Sequence, residues 1–571
     1  MQVNGARIVV ETLIEKGVDV VFGYPGGTIL NIYDELYKCS ERIRHVLTAH
    51  EQGAAHAADG YARSTGRPGV VMATSGPGAT NLVTGIATAF MDSIPMVAIT
   101  CNVPNKILGK DSFQEVDIAG ITMPITKHNY IVKDVAALAD TLDQAFVIAT
   151  TGRKGPVLVD ITKDVTATLC EWEPASERGS AKASGGGCDL RFGAKATRRV
   201  SDEELEEAAH LIAQSRAPFI YAGGGVIASE ASADLRKLAE RIKAPVALSL
   251  MGQGAFPSHH PLYTGMIGMH GTKASNMAAS KSDLLIAIGA RFSDRVVSDA
   301  SHFAMKAKIL HIDIDPAEIN KNVSSYFSLV GDVKDVLSRL VVKLPAKETT
   351  DWNGHIDAWK KEVPSAHGLG KRLHPRFIME TIHEKTGDDT IVTTEVGQHQ
   401  MWTAQFYPFS KPRTFISSGG LGTMGFGTGA AMGAQVANPD AQVVHIAGDG
   451  SFRMNCNELS TISHYNLPIL IVVMNNGTLG MVRQWQTMFY QGRYSETTLD
   501  RPPDFVKLAD AYGVRGFKAS NEEEFREALD AALSERRPAL IECLLEIDEK
   551  VLPMVPSGRP IDELILEPPE E

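Results

Sequence analysis

The chain contains no CxxC pair. Its six cysteines (Cys39, Cys101, Cys170, Cys188, Cys456, Cys543) are scattered over 571 residues, which excludes a zinc ribbon and gives no disulfide framework. A reducing compartment is expected. Long apolar runs are also missing. Stretches such as Leu467 to Met474 have the length of buried strands and fall short of the roughly 20 residues needed to span a bilayer, so no membrane partner is expected. There is no long Lys/Arg run either, and a formal net charge of -12 repels polyanions, which excludes nucleic acid as a partner. No segment repeats with a period of about 20 to 50 residues, so a solenoid or propeller is excluded. The chain opens almost at once on a helical pattern (Ile8, Val9, Leu13), leaving no room for a basic segment, apolar core and cleavage site. A cytoplasmic location is expected unless a transit peptide has been removed.

What is present is an ordinary globular composition, 44% hydrophobic and 22% charged. The length is too great for one core and predicts three domains. Strand-like runs alternate with helical patterns and meet them at Gly/Pro junctions such as Tyr24-Pro25-Gly26-Gly27, which predicts an α/β fold of three doubly wound parallel-sheet domains. Expected strands are Val18 to Phe22, Gly69 to Ala73, Met96 to Thr100 and Val157 to Ile161 in the first domain. Those of the second are Pro218 to Ala222, Pro245 to Leu248, Leu284 to Ile288 and Ile309 to Ile314; the third has Val443 to Ala447 and Leu467 to Met474. The boundaries follow composition: a domain at 1–170, a linker at 171–198 around Ser184-Gly185-Gly186-Gly187, a domain at 199–345, a polar linker at 346–369, a domain at 370–548, and a proline-rich tail at 549–571 lying over another surface.

The most informative constellation is one βαβ unit. Strand Val443 to Ala447 ends in Gly448-Asp449-Gly450-Ser451, a helical pattern follows around Glu458 to Ser463, and strand Leu467 to Met474 ends in Asn475-Asn476. Parallel strands put both carboxyl ends on one sheet edge, where Asp449 and Asn476 can meet. A carboxylate, an amide oxygen and a loop carbonyl are hard donors that suit Mg²⁺ completed by phosphate oxygens. Gly450 admits a diphosphate to the backbone, and the next helix N-terminus offers N–H donors. A Gly/Asp turn after a strand is also a common structural solution. In the first domain, His50-Glu51-Gln52-Gly53 precedes a helical pattern; a Glu there is stabilised by the helix dipole whatever else it does.

The Gly448–Ser451 and Asn475-Asn476 combination resembles the signature of thiamine-diphosphate enzymes. Glu51-Gln52-Gly53, Gly60-Tyr61-Ala62-Arg63 and Ser75-Gly76-Pro77-Gly78-Ala79-Thr80-Asn81 also stand as that family has them, and the whole set, from about residue 4 to 560, is similar to acetohydroxyacid (acetolactate) synthases. The resemblance implies Mg²⁺ on Asp449, Asn476 and the main-chain carbonyl of Thr478, with Glu51 as the carboxyl group against the cofactor's aminopyrimidine ring. It implies thiamine diphosphate contacts from Tyr24, Gly26, Pro77, Asn81, Val396, Gly397, Gln398, His399, Gly450, Ser451 and Met481, with Met424 supporting a bent cofactor. Core packing is the alternative for Met424. Gln114 is implied to reach the reacting centre, and Phe113, Lys163, Arg295 and Trp485 to receive substrate. An arginine can hold a keto-acid carboxylate bidentately; a surface ion pair and a core aromatic are the alternatives for Arg295 and Trp485.

The middle domain carries Ala222-Gly223-Gly224-Gly225 and Gly289-Ala290-Arg291 after strands, suited to close approach of a nucleotide or to simple turns. The resemblance fills it with FAD, held by Arg153, Gly223, Gly224, Gly225, Gly268, Met269, His270, Gly289, Arg291, Asp313, Ile314 and Asp332. Ser293 stands where many relatives have Asp. Gly420-Leu421-Gly422-Thr423-Met424-Gly425 fits GxGxxG, but no acidic ribose ligand follows in an N-terminal βαβ unit, so NAD is not inferred. The implied activity is cofactor-based joining of two 2-keto acids with loss of carbon dioxide, by a homodimer or homotetramer in which Glu51 and Asp449 come from two subunits, with a regulatory small subunit as a further partner. Sulfoacetaldehyde acetyltransferase, pyruvate oxidase, a fermentative acetolactate synthase and a non-catalytic nucleotide-sensing scaffold are the rival readings.

Overall fold

The structure is a computed structural model that describes residues 2–174, 198–362 and 372–567. The glycine-rich linker read at 171–198 therefore lies almost wholly outside the described residues. Three six-stranded parallel sheets, each flanked by helices, form the architecture. In the first, the order is Arg44–Leu47, Val20–Tyr24, Gly69–Ala73, Met96–Asn102, Pro156–Thr162, His128–Val132. In the third it is Phe415–Ile416, Ile391–Thr394, Val443–Gly448, Ile469–Asn475, Ala539–Leu544, Arg515–Ala519. The central strands are buried along their length, which is why they read as continuous apolar runs.

Several boundaries move for physical reasons. The strand expected from Leu467 begins at Ile469, after Pro468, which has no N–H to give to a ladder. The strand expected at Val18 to Phe22 runs instead over Val20–Tyr24, carrying Tyr24 to the sheet edge. The stretch read as a polar linker at 346–369 contains a helix, Thr350–Lys360, whose Trp352 is buried and donates its indole N–H to Pro218 O at 3.0 Å. One apolar face, Trp352, Ile356 and Trp359, was outweighed in the sequence by the charges around it. The tail folds back: Val555 N donates to Met269 O and Met554 pairs with Ile565.

The first and third sheets share one core. Helix Glu51–Thr65 and helix Phe426–Ala437 press together through Ala54, Ala57, Ala58, Ala430 and Ala434. A Cβ on Gly433 would sit 2.6 Å from the carbonyl carbon of Ala57, so this crossing needs glycine.

Candidate active site

Strand Arg44–Leu47 delivers the chain to Glu51, the first residue of helix Glu51–Thr65, with the His50 side chain capping Gln52 N. Glu51 is buried, and its Oε2 accepts from Asn81 Nδ2 at 2.9 Å. Gly76 starts the turn that carries Asn81; its φ is +61, and a Cβ there would lie 2.9 Å from Gln114 Cα. Gln114 itself has φ 59. Close backbone approach thus brings Gln114 onto the turn that faces Glu51. Tyr24 and Pro77 stand exposed at the edge, Gly26 lies against Thr74, and Phe113 is 88% exposed.

A second group forms on the third sheet. Asp449, at the start of helix Asp449–Asn455, is buried with Oδ2 unpartnered, and burial pushes its carboxyl up to about 7. Asn476 Nδ2 donates to Gln398 Oε1 at 3.1 Å, and among the described residues no hydrogen bond reaches Asn476 Oδ1. Gln398 Nε2 donates to Gln484 Oε1 at 3.0 Å and to Glu549 O at 2.8 Å, so Gln398 acts on the edge through Asn476. Thr478 is buried, its hydroxyl spent on Thr497 O. His399 is buried, and burial with the nearby His445 lowers its ring to about 3, leaving it neutral with Nε2 unpartnered. Val396, Gly397 and Gly450 are half-buried around this edge, while Ser451 is buried with its hydroxyl on Gly448 O. Met424 is half-buried and belongs to none of the packed cores of the described residues, unlike its neighbour Phe426. Met481 packs against the core under the sheet.

In the middle domain, Gly223, Gly225 and Gly289 pack on one another: a Cβ on Gly225 would lie 2.6 Å from Gly289 Cα. Loop-on-loop contact already demands these glycines. Gly224 faces Met251. Gly268 and Met269 lie on Arg295, whose carbonyl accepts from Met269 N at 2.8 Å. Buried His270 meets Pro553 O at 3.2 Å, and burial lowers its ring to about 4. Burial raises the Asp313 carboxyl to about 6. Ile314 is half-buried beside it, and Asp332 caps helix Val333–Lys343. Arg153 is engaged across the domain boundary, with Ser93 Oγ at 2.8 Å, Glu318 Oε1 at 2.6 Å and Asp315 Oδ2 at 3.2 Å. Glu318 Oε2 is buried and unpartnered beside a cavity of about 350 Å³ lined by Met91, Arg291, Phe292, Ser293 and Gly420.

Of the substrate candidates, Lys163 starts the short helix Lys163–Ala167, Arg295 is exposed beside Asp294, and Trp485 is half-buried edge-on to Phe489. The tail relates the last two: Val551 N donates to Gln484 Oε1, next to Trp485, and Val555 N donates to Met269 O, next to the Arg295 turn. No hydrogen bond or ion pair among the described residues joins Glu51 to Asp449.

Sequence reasoning missed four buried groups. Glu395 receives Gly425 N at 2.6 Å and Thr428 N at 3.2 Å, Gln484 is the hub under Gln398, Glu458 reaches the loop before Glu51, and Arg63 joins Asp92 and Ser417 O. The available signal was adjacency: Glu395 precedes Val396-Gly397-Gln398-His399, and Arg63 closes Gly60-Tyr61-Ala62-Arg63.

The site thus has a buried carboxylate-and-amide edge on one parallel sheet and a buried helix-start glutamate, Glu51, beside another. The chain matches three family models: the N-terminal thiamine pyrophosphate (TPP) binding domain of thiamine pyrophosphate enzymes over residues 3–121, their central domain over 205–340, and their C-terminal TPP binding domain over 395–543. It is 49% identical to a probable acetolactate synthase large subunit of Methanocaldococcus jannaschii, over 98% of this chain and 95% of the relative. It is 47% identical to the acetolactate synthase large subunit of Mycobacterium tuberculosis (99% and 91% covered) and 46% to that of Corynebacterium glutamicum (98% and 89%). The chain belongs to the acetolactate synthase large-subunit family of thiamine pyrophosphate enzymes.

Proposed function

We propose that the protein is an acetolactate synthase of branched-chain amino-acid biosynthesis: it decarboxylates pyruvate and joins the remaining two-carbon unit to pyruvate or 2-ketobutyrate, giving 2-acetolactate or 2-aceto-2-hydroxybutyrate. The observation that carries this is near-full-length identity to acetolactate synthases combined with an intact Glu51, Asp449 and Asn476. Mg²⁺ fits the Asp449 edge, because a buried unpartnered carboxylate oxygen and an open amide oxygen are what a hard cation would satisfy. Among the described residues no cluster of three His, Cys, Asp or Glu forms a metal site, and diphosphate oxygens would complete the shell when the cofactor is bound. Thiamine diphosphate supplies the electron sink for decarboxylation.

The chain's own residues do the rest. Asp449, Asn476 and the Thr478 carbonyl hold the cation; Gly450 and Ser451 offer N–H groups to the diphosphate. Glu51, oriented by Asn81, holds and moves a proton at the aminopyrimidine ring. Arg295 grips the carboxylate of the second keto acid, with Trp485 and Phe113 along its apolar side and Gln114 and Lys163 at the reacting end. The resemblance to acetohydroxyacid synthases supports a site assembled from Glu51 of one subunit and Asp449 of another, in a homodimer or homotetramer; among the described residues no hydrogen bond or ion pair joins the two within the chain. FAD suits the middle domain, where Arg291, Ser293 and Asn322 line the cavity beside Glu318. A cytoplasmic enzyme with a smaller regulatory partner chain completes the proposal; no helix among the described residues is long and apolar enough to cross a membrane. The test is incubation with pyruvate, thiamine diphosphate and Mg²⁺, with and without 2-ketobutyrate, followed by product identification. Release of acetaldehyde, acetyl phosphate or no product would overturn the assignment.

A further inference from the structure

Glu458 belongs to the third domain, nine residues after Asp449 (458 minus 449), yet its carboxylate is spent on the first. It is fully buried. Oε2 accepts the main-chain N–H of Ala49 at 3.0 Å and the Thr461 hydroxyl at 2.7 Å, and Oε1 accepts the N–H of His50 at 3.0 Å. Ala49 and His50 are the last two residues before Glu51, in the turn between strand Arg44–Leu47 and helix Glu51–Thr65. Their N–H groups are orphan donors of that junction, and a carboxylate at the helix start also meets the positive end of its dipole. Burial raises the Glu458 carboxyl, and its hydrogen bonds oppose that rise.

Gly53 now has a reason. A Cβ there would stand 2.5 Å from Glu458 Cδ, so any other residue pushes the carboxylate off the turn. The Glu-Gln-Gly run therefore needs its glycine to admit a side chain from another domain. On the opposite side Glu51 is held by Asn81. Two fixings, one on the backbone before Glu51 and one on its carboxylate, define where its proton-carrying oxygens lie.

We infer that Glu458 is a positioning residue for Glu51, setting the orientation of the proton-shuttling carboxylate through the Ala49 and His50 amides; the inference rests on the role proposed for Glu51. A displacement of about 1 Å at a reacting group can cost about 100-fold in rate. Glu458→Gln keeps the shape but turns an N–H donor toward one of the two amides. Expected are a 10- to 100-fold slower hydrogen/deuterium exchange at thiazolium C2, faster amide exchange at residues 48–52 in the cofactor-free protein, and a thiamine diphosphate Kd within about threefold of wild type. Gly53→Ala, which displaces the carboxylate without removing it, should give the same pattern, and Glu458→Asp serves if either does not fold. Equal losses of Kd, thermal stability and C2 exchange would make Glu458 a packing group and overturn the inference, as would unchanged C2 exchange in a folded variant. Glu51→Gln run in parallel separates the two ideas. If it too leaves C2 exchange unchanged, the role of Glu51 has failed and the positioning role falls with it; if it slows exchange while Glu458→Gln does not, only the positioning role fails.

Discussion

Asp449→Asn should make the cofactor-free protein more stable at pH 8 while removing its response to Mg²⁺. Burial holds the Asp449 carboxyl at about 7 instead of its ordinary 3.8. At 1.36 kcal/mol per tenfold, that displacement is about 4 kcal/mol against the charged form. The folded state binds the proton more tightly than the unfolded chain, so the penalty is absent below pH 3.8, grows as pH rises, and is complete above about 7. Asparagine removes the charge but buries an amide lacking partners, a cost of about 1–3 kcal/mol. The net gain is therefore about 1–3 kcal/mol at pH 8 and about zero near pH 5. The assay compares denaturation midpoints of metal-free wild type and variant from pH 5 to 8, then repeats them with Mg²⁺ and thiamine diphosphate. Ligand at about 100 times Kd adds about 2.7 kcal/mol to wild type and should add little to the variant. A variant less stable than wild type at pH 8, or one stabilised equally by the cofactor, would refute the desolvated metal-ligand reasoning.

Glu51→Gln should slow C2 hydrogen/deuterium exchange about 100-fold or more in a folded protein, because an amide cannot shuttle the pyrimidine proton; an unchanged rate returns Glu51 to helix stabilisation. Trp485→Leu should cut the preference for 2-ketobutyrate over pyruvate, a discrimination worth about 1–3 kcal/mol per methylene, read as the ratio of aceto-hydroxybutyrate to acetolactate in competition. The purified protein should be yellow and release FAD on denaturation; a colourless, fully active preparation would favour the fermentative reading. Gly433→Ala should destabilise by about 1–3 kcal/mol or more through overpacking against Ala57, measured as a fall in denaturation midpoint without loss of secondary structure.

The three sheets were legible because buried parallel strands must be apolar throughout and must end in turns that carry Gly, Pro, Asp or Asn. Strand Gly69–Ala73 has the expected bounds, and Val443–Gly448 runs one residue beyond them. Asp449 and Asn476 were legible for the same reason, since adjacent parallel strands end on one edge. Glu458, Arg63 and Gln484 were not. Each is a polar residue inside a helix or turn that reaches a main-chain partner far along the chain, 67 residues away for Gln484 and more than 350 for Arg63 and Glu458, and these long pairings leave no local period, even though Arg63 also pairs with Asp59 one turn away. The helix at Thr350–Lys360 was hidden because two tryptophans and one isoleucine form its buried face amid charged neighbours.

Two of the missed residues, Arg63 and Glu458, share one task. The seam between helices Glu51–Thr65 and Phe426–Ala437 is alanine and glycine, whose packing is close but not directional. Close approach at Gly60 and Gly433 sets which turns of the two helices meet. Directional charge-assisted bonds then hold the loops at either end of the seam. Arg63 donates to Ser417 O at 2.8 Å and to Asp92 Oδ2 at 2.9 Å, and Asp92 in turn receives Gly419 N at 3.1 Å and Gly420 N at 2.7 Å. This network docks the loop that leads to Met424 onto the first domain, as Glu458 docks the turn that leads to Glu51 onto the third. Each domain's contribution to chemistry is thus braced by a buried charge from the other. The proposed two-subunit site would then bring together two edges already braced within each chain. That explains why the buried charges lie behind the candidate catalytic residues rather than among them.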